Sequence, residues 1–95
     1  MIPKASQSKF HIGQTVRVVA GTLDPDYGDP IAGWSGIVED IYLSDEDDSV
    51  IAWLYCILWD SDTLMGMGRK FQKRSENDNL DFERMVLAEH EIVAH

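Results

Sequence analysis

The sequence has little of several features that define whole classes of proteins. It has a single cysteine, which excludes an internal disulfide and a disulfide-stabilised secreted scaffold. It has no run of about 18 apolar residues, and its start, MIPKASQSKF, lacks the apolar core of a secretion signal. We therefore expect a cytoplasmic protein that does not enter a membrane.

Positive charge is scarce as well. Eight lysines and arginines stand against seventeen acids, which gives a formal net charge of −9. Such a surface repels polyanions almost everywhere, so general nucleic-acid binding is unfavourable. The length of 95 residues suits one folded domain. We place this domain at residues 9–95 and predict a flexible N-terminus at residues 1–8.

Short runs rich in β-branched and aromatic residues predict a mainly β fold. Val38 and Ile41 are three positions apart and cannot share a face of a regular strand, so we predict a β-bulge near Glu39–Asp40. The acidic residues 44–49 predict a solvated turn. The predicted strands comprise residues 15–20, 36–43, 50–59 and 82–87, with a short apolar pair at Ile92 and Val93.

The segment Val50–Trp59 is apolar or aromatic at ten consecutive positions, so both faces of this strand are apolar. We take the row that contains Trp53, Tyr55 and Trp59 as the outer one. Because this row is too apolar to remain in water, we expect a helix or another subunit to cover it.

One helix is predicted before the last main strand. Leu64, Met67 and Phe71 share a helical face, and we expect the regular helix to begin near Gly68 and to stop at residues 77–79. Together these elements predict a small, strongly bent antiparallel barrel of about five strands, with the helix covering the second face of the long strand.

Four segments carry a resemblance: FHIGQTVRV, DPDYG, GWSGIVEDI and LWDSDTL. In this order they resemble small bacterial proteins of an uncharacterised family with an SH3-like barrel, in which a G-x-V pattern opens the second strand. The resemblance covers residues 10–93 and implies the fold without choosing a function, because such barrels host peptide binding, nucleic-acid binding and subunit contacts. Asn79 stands where a glycine would suit a left-handed helix stop better, although asparagine also tolerates that conformation.

Aromatic residues are the predicted partner-binding site. In SH3-like barrels that bind proline-rich peptides, an aromatic groove lies beside the loop after the first strand. The alternative is that the same rings complete a small core. The candidate residues are Tyr27, Trp34, Trp53, Tyr55 and Trp59.

The loop acids Asp24, Asp26 and Asp29 are candidate calcium ligands, because hard cations require several oxygen ligands. Their spacing does not match an EF-hand loop. The alternative is turn capping, which Asp24 before Pro25 suits well. No other cofactor is predicted.

Four of the eight bases lie in one segment, at Arg69, Lys70, Lys73 and Arg74. This cluster predicts either a helix face that neutralises nearby acids or, less favoured, a nucleic-acid-binding patch.

Cys56 is predicted to be buried and unreactive. The terminal HEIVAH segment spaces its histidines five apart, and so does not match the zinc motif HExxH.

We therefore predict a non-catalytic SH3-like module that binds a protein or peptide partner, including a second copy of itself in a homo-oligomer. Calcium binding by the acidic loop is the main alternative, and nucleic-acid binding is a weaker one.

Overall fold

The computed structural model describes residues 8–47 and 50–95. Within these residues, five strands and two α-helices make up the fold, and a 3-10 turn connects the last two strands. The predicted flexible start lies outside the described residues except for Ser8, as do residues 48 and 49 of the predicted acidic turn. The elements are β1 (Thr15–Val18), β2 (Ser35–Asp47), β3 (Val50–Trp59), α1 (Ser61–Gly66), α2 (Arg69–Asn77), β4 (Arg84–Ala88), the 3-10 turn (Glu89–Glu91) and β5 (Ile92–Ala94).

The strands form one antiparallel sheet in the order β4-β3-β2-β1-β5. This confirms the mainly β class and the number of strands. The barrel is not closed, because no ladder joins the two edge strands, β4 and β5, in the described part of the chain. The sheet instead packs around a single core to which all five strands contribute residues.

The predicted bulge in β2 is confirmed. The pairing with β3 shifts by one residue between Val38 and Asp40, which leaves Glu39 without a partner. This extra residue shifts the alternation of side chains between the two faces of β2, so that Val38 and Ile41 both face the core. Without it, Ile41 would lie on the opposite face of the sheet.

Gly36 explains the G-x-V pattern that opens β2. Gly36 pairs with Trp59 of β3, and a Cβ atom at this position would lie 2.2 Å from the carbonyl oxygen of Leu58. No side chain fits at that distance, so the two strands approach closely here only because position 36 is glycine.

The single predicted helix is two helices. The helical conformation is interrupted at Gly68, whose φ of +83° separates α1 from α2. The predicted stop is confirmed, because α2 ends at Asn77 and Asn79 adopts a left-handed φ of +59°. No helix in the described ranges is long and apolar enough to cross a membrane.

The two rows of β3 have the opposite roles to those predicted. The row of Tyr55, Ile57 and Trp59 is buried in the core, where Trp53 also packs. The helical segment packs against this same core through Leu64, Met67 and Phe71, and so lies on the side of the row that a helix was expected to cover. The row that faces away from the core contains Leu54, Cys56 and Leu58.

Candidate interaction surfaces

The loop between β1 and β2, residues 19–34, is held by hydrogen bonds within itself. The backbone N–H of Asp24 donates to the carbonyl of Asp29 at 2.7 Å. The Asp24 carboxylate accepts hydrogen bonds from the N–H groups of Asp26 and Tyr27 at 3.1 and 3.2 Å. Asp24 is only 2% exposed and acts as the turn cap that its place before Pro25 favours.

The three predicted calcium ligands have separate surroundings. Asp24 caps the turn, Asp29 forms an ion pair with Arg74 of α2, and Asp26 is exposed. Within residues 8–47 and 50–95, no three histidine, cysteine, aspartate or glutamate side chains are grouped as a metal ion requires. Calcium binding by this loop stays a prediction from the sequence, to which the geometry adds no support.

Tyr27 and Trp34 pack onto α2 through Phe71. The ring of Phe71 makes edge-to-face contacts with Trp34 and Tyr27, with centroids 5.4 and 6.0 Å apart. Trp34 also makes an edge-to-face contact with buried Trp59, with the ring centroids 5.3 Å apart. The aromatic groove predicted beside this loop is therefore partly filled by the chain's own helix, with Trp34 and Tyr27 half-buried.

Arg74 fastens this loop to α2. Its guanidinium lies 3.8 Å from the centre of the Tyr27 ring and forms the ion pair with Asp29. The Tyr27 hydroxyl donates to the Asp78 carboxylate and also contacts the carbonyl of Arg74. The hydrogen bond to Asp78 raises the pKa of Tyr27, and the hydrogen bond to Asp29 raises the pKa of Arg74. Arg74 is thus committed to positioning the loop.

The other predicted partner-binding aromatics lie on the core side of β3. Tyr55 and Trp59 are 0% and 3% exposed, and Trp53 is half-buried against the core. Tyr55 and Trp59 lie where a partner does not reach them. The position of these two residues therefore agrees with the alternative interpretation, in which the aromatic rings complete the core.

An apolar patch instead covers the opposite side of the sheet. Ile37, Tyr42 and Val86 are 41%, 46% and 43% exposed on β2 and β4. In the strand between them, Leu54 pairs with Tyr42 and Leu58 pairs with Ile37. We call this surface the outer face; it comprises Ile37, Tyr42, Leu54, Leu58 and Val86.

Charged side chains cross the outer face, because Arg84 of β4 reaches Glu39 of β2 over the intervening strand β3. Arg84 of β4 donates to Glu39 of β2 at 2.7 Å and to Asp81 at 2.9 Å. The hydrogen bond to Glu39, followed by that to Asp81, raises the pKa of Arg84, so this arginine stays charged and paired. Asp40 is exposed on the same face, opposite Cys56. Around Arg84, these three acids make the outer face negative.

The basic cluster lies on α2, but it neutralises acids only in part. Arg74 pairs with Asp29, whereas Arg69, Lys70 and Lys73 are exposed and form no ion pair with the side chains that the structure describes. We call these three residues the basic helix face. The interpretation as a neutralising face thus holds for one of the four bases.

Cys56 is buried, as predicted. Burial raises the pKa of its thiol, which therefore stays protonated at neutral pH.

The HEIVAH segment forms the 3-10 turn and β5, so His90 and His95 are not presented from one α-helix as the zinc motif requires.

Two features of these surfaces were missed from the sequence. Phe71 was placed on the helix but not in the aromatic contact with Tyr27 and Trp34. The outer face was assigned to the wrong row of β3, although the charges of Asp40 and Arg84, in register with Cys56 and Leu58, are the signal that marks the solvent side.

Comparisons with protein-family models, with curated proteins and with solved structures find no match for this chain.

Proposed function

We propose that this protein is a non-catalytic interaction module with an SH3-like arrangement of strands, and that its outer face binds an apolar, positively charged segment of another protein. The order β4-β3-β2-β1-β5, the long bulged β2 and the 3-10 turn between the edge strands support the SH3-like arrangement. The single observation that carries the binding function is the exposed apolar patch on β2, β3 and β4.

The patch exposes apolar side chains on the sheet face opposite the buried core. Three large apolar side chains, Ile37, Tyr42 and Val86, are each more than two fifths exposed. Val86 also lines a shallow groove of about 470 Å³, together with Cys56 and Leu80. Exposed apolar side chains with charged ones among them favour an interaction site at this face.

The charges around the patch select the occupant. Glu39, Asp40 and Asp81 outnumber Arg84, and the whole chain carries −9. A partner segment with positive charge gains from these acids, whereas two copies of the chain would bring two sets of acids together. We therefore favour a cationic partner over the homo-oligomer predicted from the sequence.

A defined probe tests this proposal. An amphipathic helical peptide of leucine and lysine should bind the native protein, and the same peptide with glutamate for lysine should not. The double variant Tyr42→Ser/Val86→Ser should weaken binding about tenfold or more, since two apolar contacts are lost. Isothermal titration calorimetry gives both affinities.

The matched control is Ile12→Ser/Met65→Ser, which removes two apolar side chains that are 62% and 82% exposed and lie outside the strands that form the outer face. Equal affinity of both double variants for the peptide would contradict the proposal. Sedimentation equilibrium supplies the other outcome: a native dimer that Tyr42→Ser/Val86→Ser converts to a monomer would show that a second copy occupies the face.

A further inference from the structure

The basic helix face stands out against the charge of the chain. Arg69, Lys70 and Lys73 project three exposed positive charges from about one turn of α2, on a protein whose net charge is −9. The ion pairs of the described side chains involve Arg74 and Arg84 instead. The positive field of these three residues is therefore available to a ligand.

A groove with apolar residues in its lining adjoins this face. It has a volume of about 460 Å³ and lies between the β1–β2 loop and the two helices. Trp34, Met67 and Phe71 are half-buried in it, and Lys70 lines it as well. Arg74 also lines it and contacts Asp29 and Tyr27, so this side of the groove is held by contacts within the chain.

We propose that the groove and the basic helix face together bind a short acidic segment of a partner protein. One apolar or aromatic side chain of the segment occupies the groove against Trp34 and Phe71. Its neighbouring carboxylates contact Arg69, Lys70 and Lys73. This site is on the helical side of the molecule, separate from the outer face, and takes a ligand of the opposite charge.

The length of the ligand follows from the charge distribution. The positions from Arg69 to Lys73 span roughly 6 Å along the helix, and with the reach of their side chains they match about three to four extended residues at 3.3 Å each. A longer polyanion would run from this face onto the acidic remainder of the surface. Because electrostatic forces extend only about 8 Å at physiological salt, a short acidic peptide keeps the attraction and avoids that repulsion, whereas a nucleic acid does not.

Fluorescence anisotropy with a labelled pentapeptide, Asp-Glu-Phe-Asp-Glu, tests the proposal. The native protein should bind this probe, and binding should weaken as salt is raised. The amide analogue Asn-Gln-Phe-Asn-Gln should bind much more weakly, and so should a probe with glycine in place of phenylalanine. The first loss reports the basic helix face, and the second reports the groove.

Protein variants locate the site. Lys70→Glu should lower the affinity for the acidic probe about tenfold, because one attraction becomes a repulsion. Arg17→Glu changes the net charge equally at an exposed position of β1 and should lower it less than about twofold. Circular dichroism melts of both variants verify that each one folds.

Three results would overturn the proposal. The first is equal binding of the probe to the Lys70→Glu and Arg17→Glu variants. The second is tighter binding of a single-stranded deoxythymidine 12-mer that also depends on Lys70, which would identify a nucleic-acid site. The third is self-association of the native protein that Lys70→Glu abolishes, which would make a second copy the occupant.

Discussion

The hydroxyl of Tyr55 donates a hydrogen bond to the carboxylate of Glu89 at 2.5 Å. The same hydroxyl accepts the backbone N–H groups of Lys9 and Phe10 at 3.0 and 3.4 Å. The ring of Phe10 completes the contact, with its centroid 5.3 Å from that of Tyr55 in edge-to-face geometry. One buried phenol thus joins β3, the 3-10 turn and the segment that precedes β1.

Tyr55→Phe should lower the free energy of unfolding by about 1–3 kcal/mol, because the N–H of buried Phe10 and the Glu89 carboxylate lose their partner. Urea unfolding followed by fluorescence measures the change. Tyr42→Phe, at a tyrosine that is 46% exposed, is the control and should change stability by less than about 0.5 kcal/mol. Equal effects of the two substitutions would contradict the role given to the Tyr55 hydroxyl.

The same residue predicts an alkaline pH dependence. Burial, followed by the hydrogen bond to Glu89, raises the pKa of Tyr55 above its ordinary value of 10.0. A raised pKa in the folded state contributes stability below the unfolded value and loses it as pH rises through the folded value. The native protein should therefore lose more stability than Tyr55→Phe above about pH 10. Urea midpoints over this pH range test it, and parallel curves would refute it.

Gly36→Ala should destabilise the protein by about 3 kcal/mol or more, since the new methyl group meets the backbone of Leu58 and neither strand can yield cheaply. Gly66→Ala is the matched control. Its Cβ has no atom within 4 Å, and alanine favours a helix, so a gain of up to about 1 kcal/mol is expected. Thermal unfolding of both variants distinguishes these outcomes, and a Gly36→Ala protein of native stability would contradict the close approach.

Asp60 predicts an acid dependence. Its carboxylate accepts hydrogen bonds from the Ser35 hydroxyl at 2.5 Å and from the N–H of Thr63 at 2.9 Å, capping α1. Burial acts to raise the pKa of Asp60, but these hydrogen bonds outweigh it and hold the pKa below 3.8. A lowered pKa contributes stability above the unfolded value and loses it as pH falls through the folded value.

Asp60→Asn should therefore be less stable than the native protein at pH 7, by about 1 kcal/mol. The difference should shrink as pH falls below about 4. Urea midpoints at several acidic pH values measure this convergence, and Asp62→Asn, at an exposed residue of the same helical turn, serves as the comparison. A difference that stays constant down to the lowest pH would contradict the charge-dependent part of the argument.

Asp24→Ala separates turn capping from metal binding. In the presence of a chelator the substitution should cost about 1–2 kcal/mol, because two backbone N–H groups lose their acceptor. Thermal unfolding with and without the chelator measures it. Unchanged stability in the chelator would contradict the capping role, and a calcium-dependent rise in melting temperature that Asp24→Ala abolishes would support the calcium hypothesis.

The bulge and the strand count were predictable because side-chain alternation is a local property. Val38 and Ile41 conflict with a regular strand, and one inserted residue is the simplest physical solution. The stop at Asn79 was also predictable, since asparagine tolerates the left-handed conformation that it adopts. These features depend on neighbouring residues alone.

The roles of the two rows of β3 and the contacts of the loop were not predictable in the same way. Both rows of β3 are apolar, so which one is buried depends on where β4 and the helices pack. The contact of Phe71 with Tyr27 and Trp34 joins residues about forty positions apart. Such contacts follow from the tertiary arrangement, which hydrophobic periodicity does not encode.

The ladder between β1 and β5 has a kinetic consequence. It pairs Val16 with Ala94 and Val18 with Ile92, residues from opposite ends of the described chain, whereas β2 and β3 are consecutive strands. Closing so long a loop costs more chain entropy than forming the hairpin of β2 and β3. The hairpin therefore suits an early role in folding, and the docking of Ile92 onto β1 suits a late one, in which the last strand covers the core.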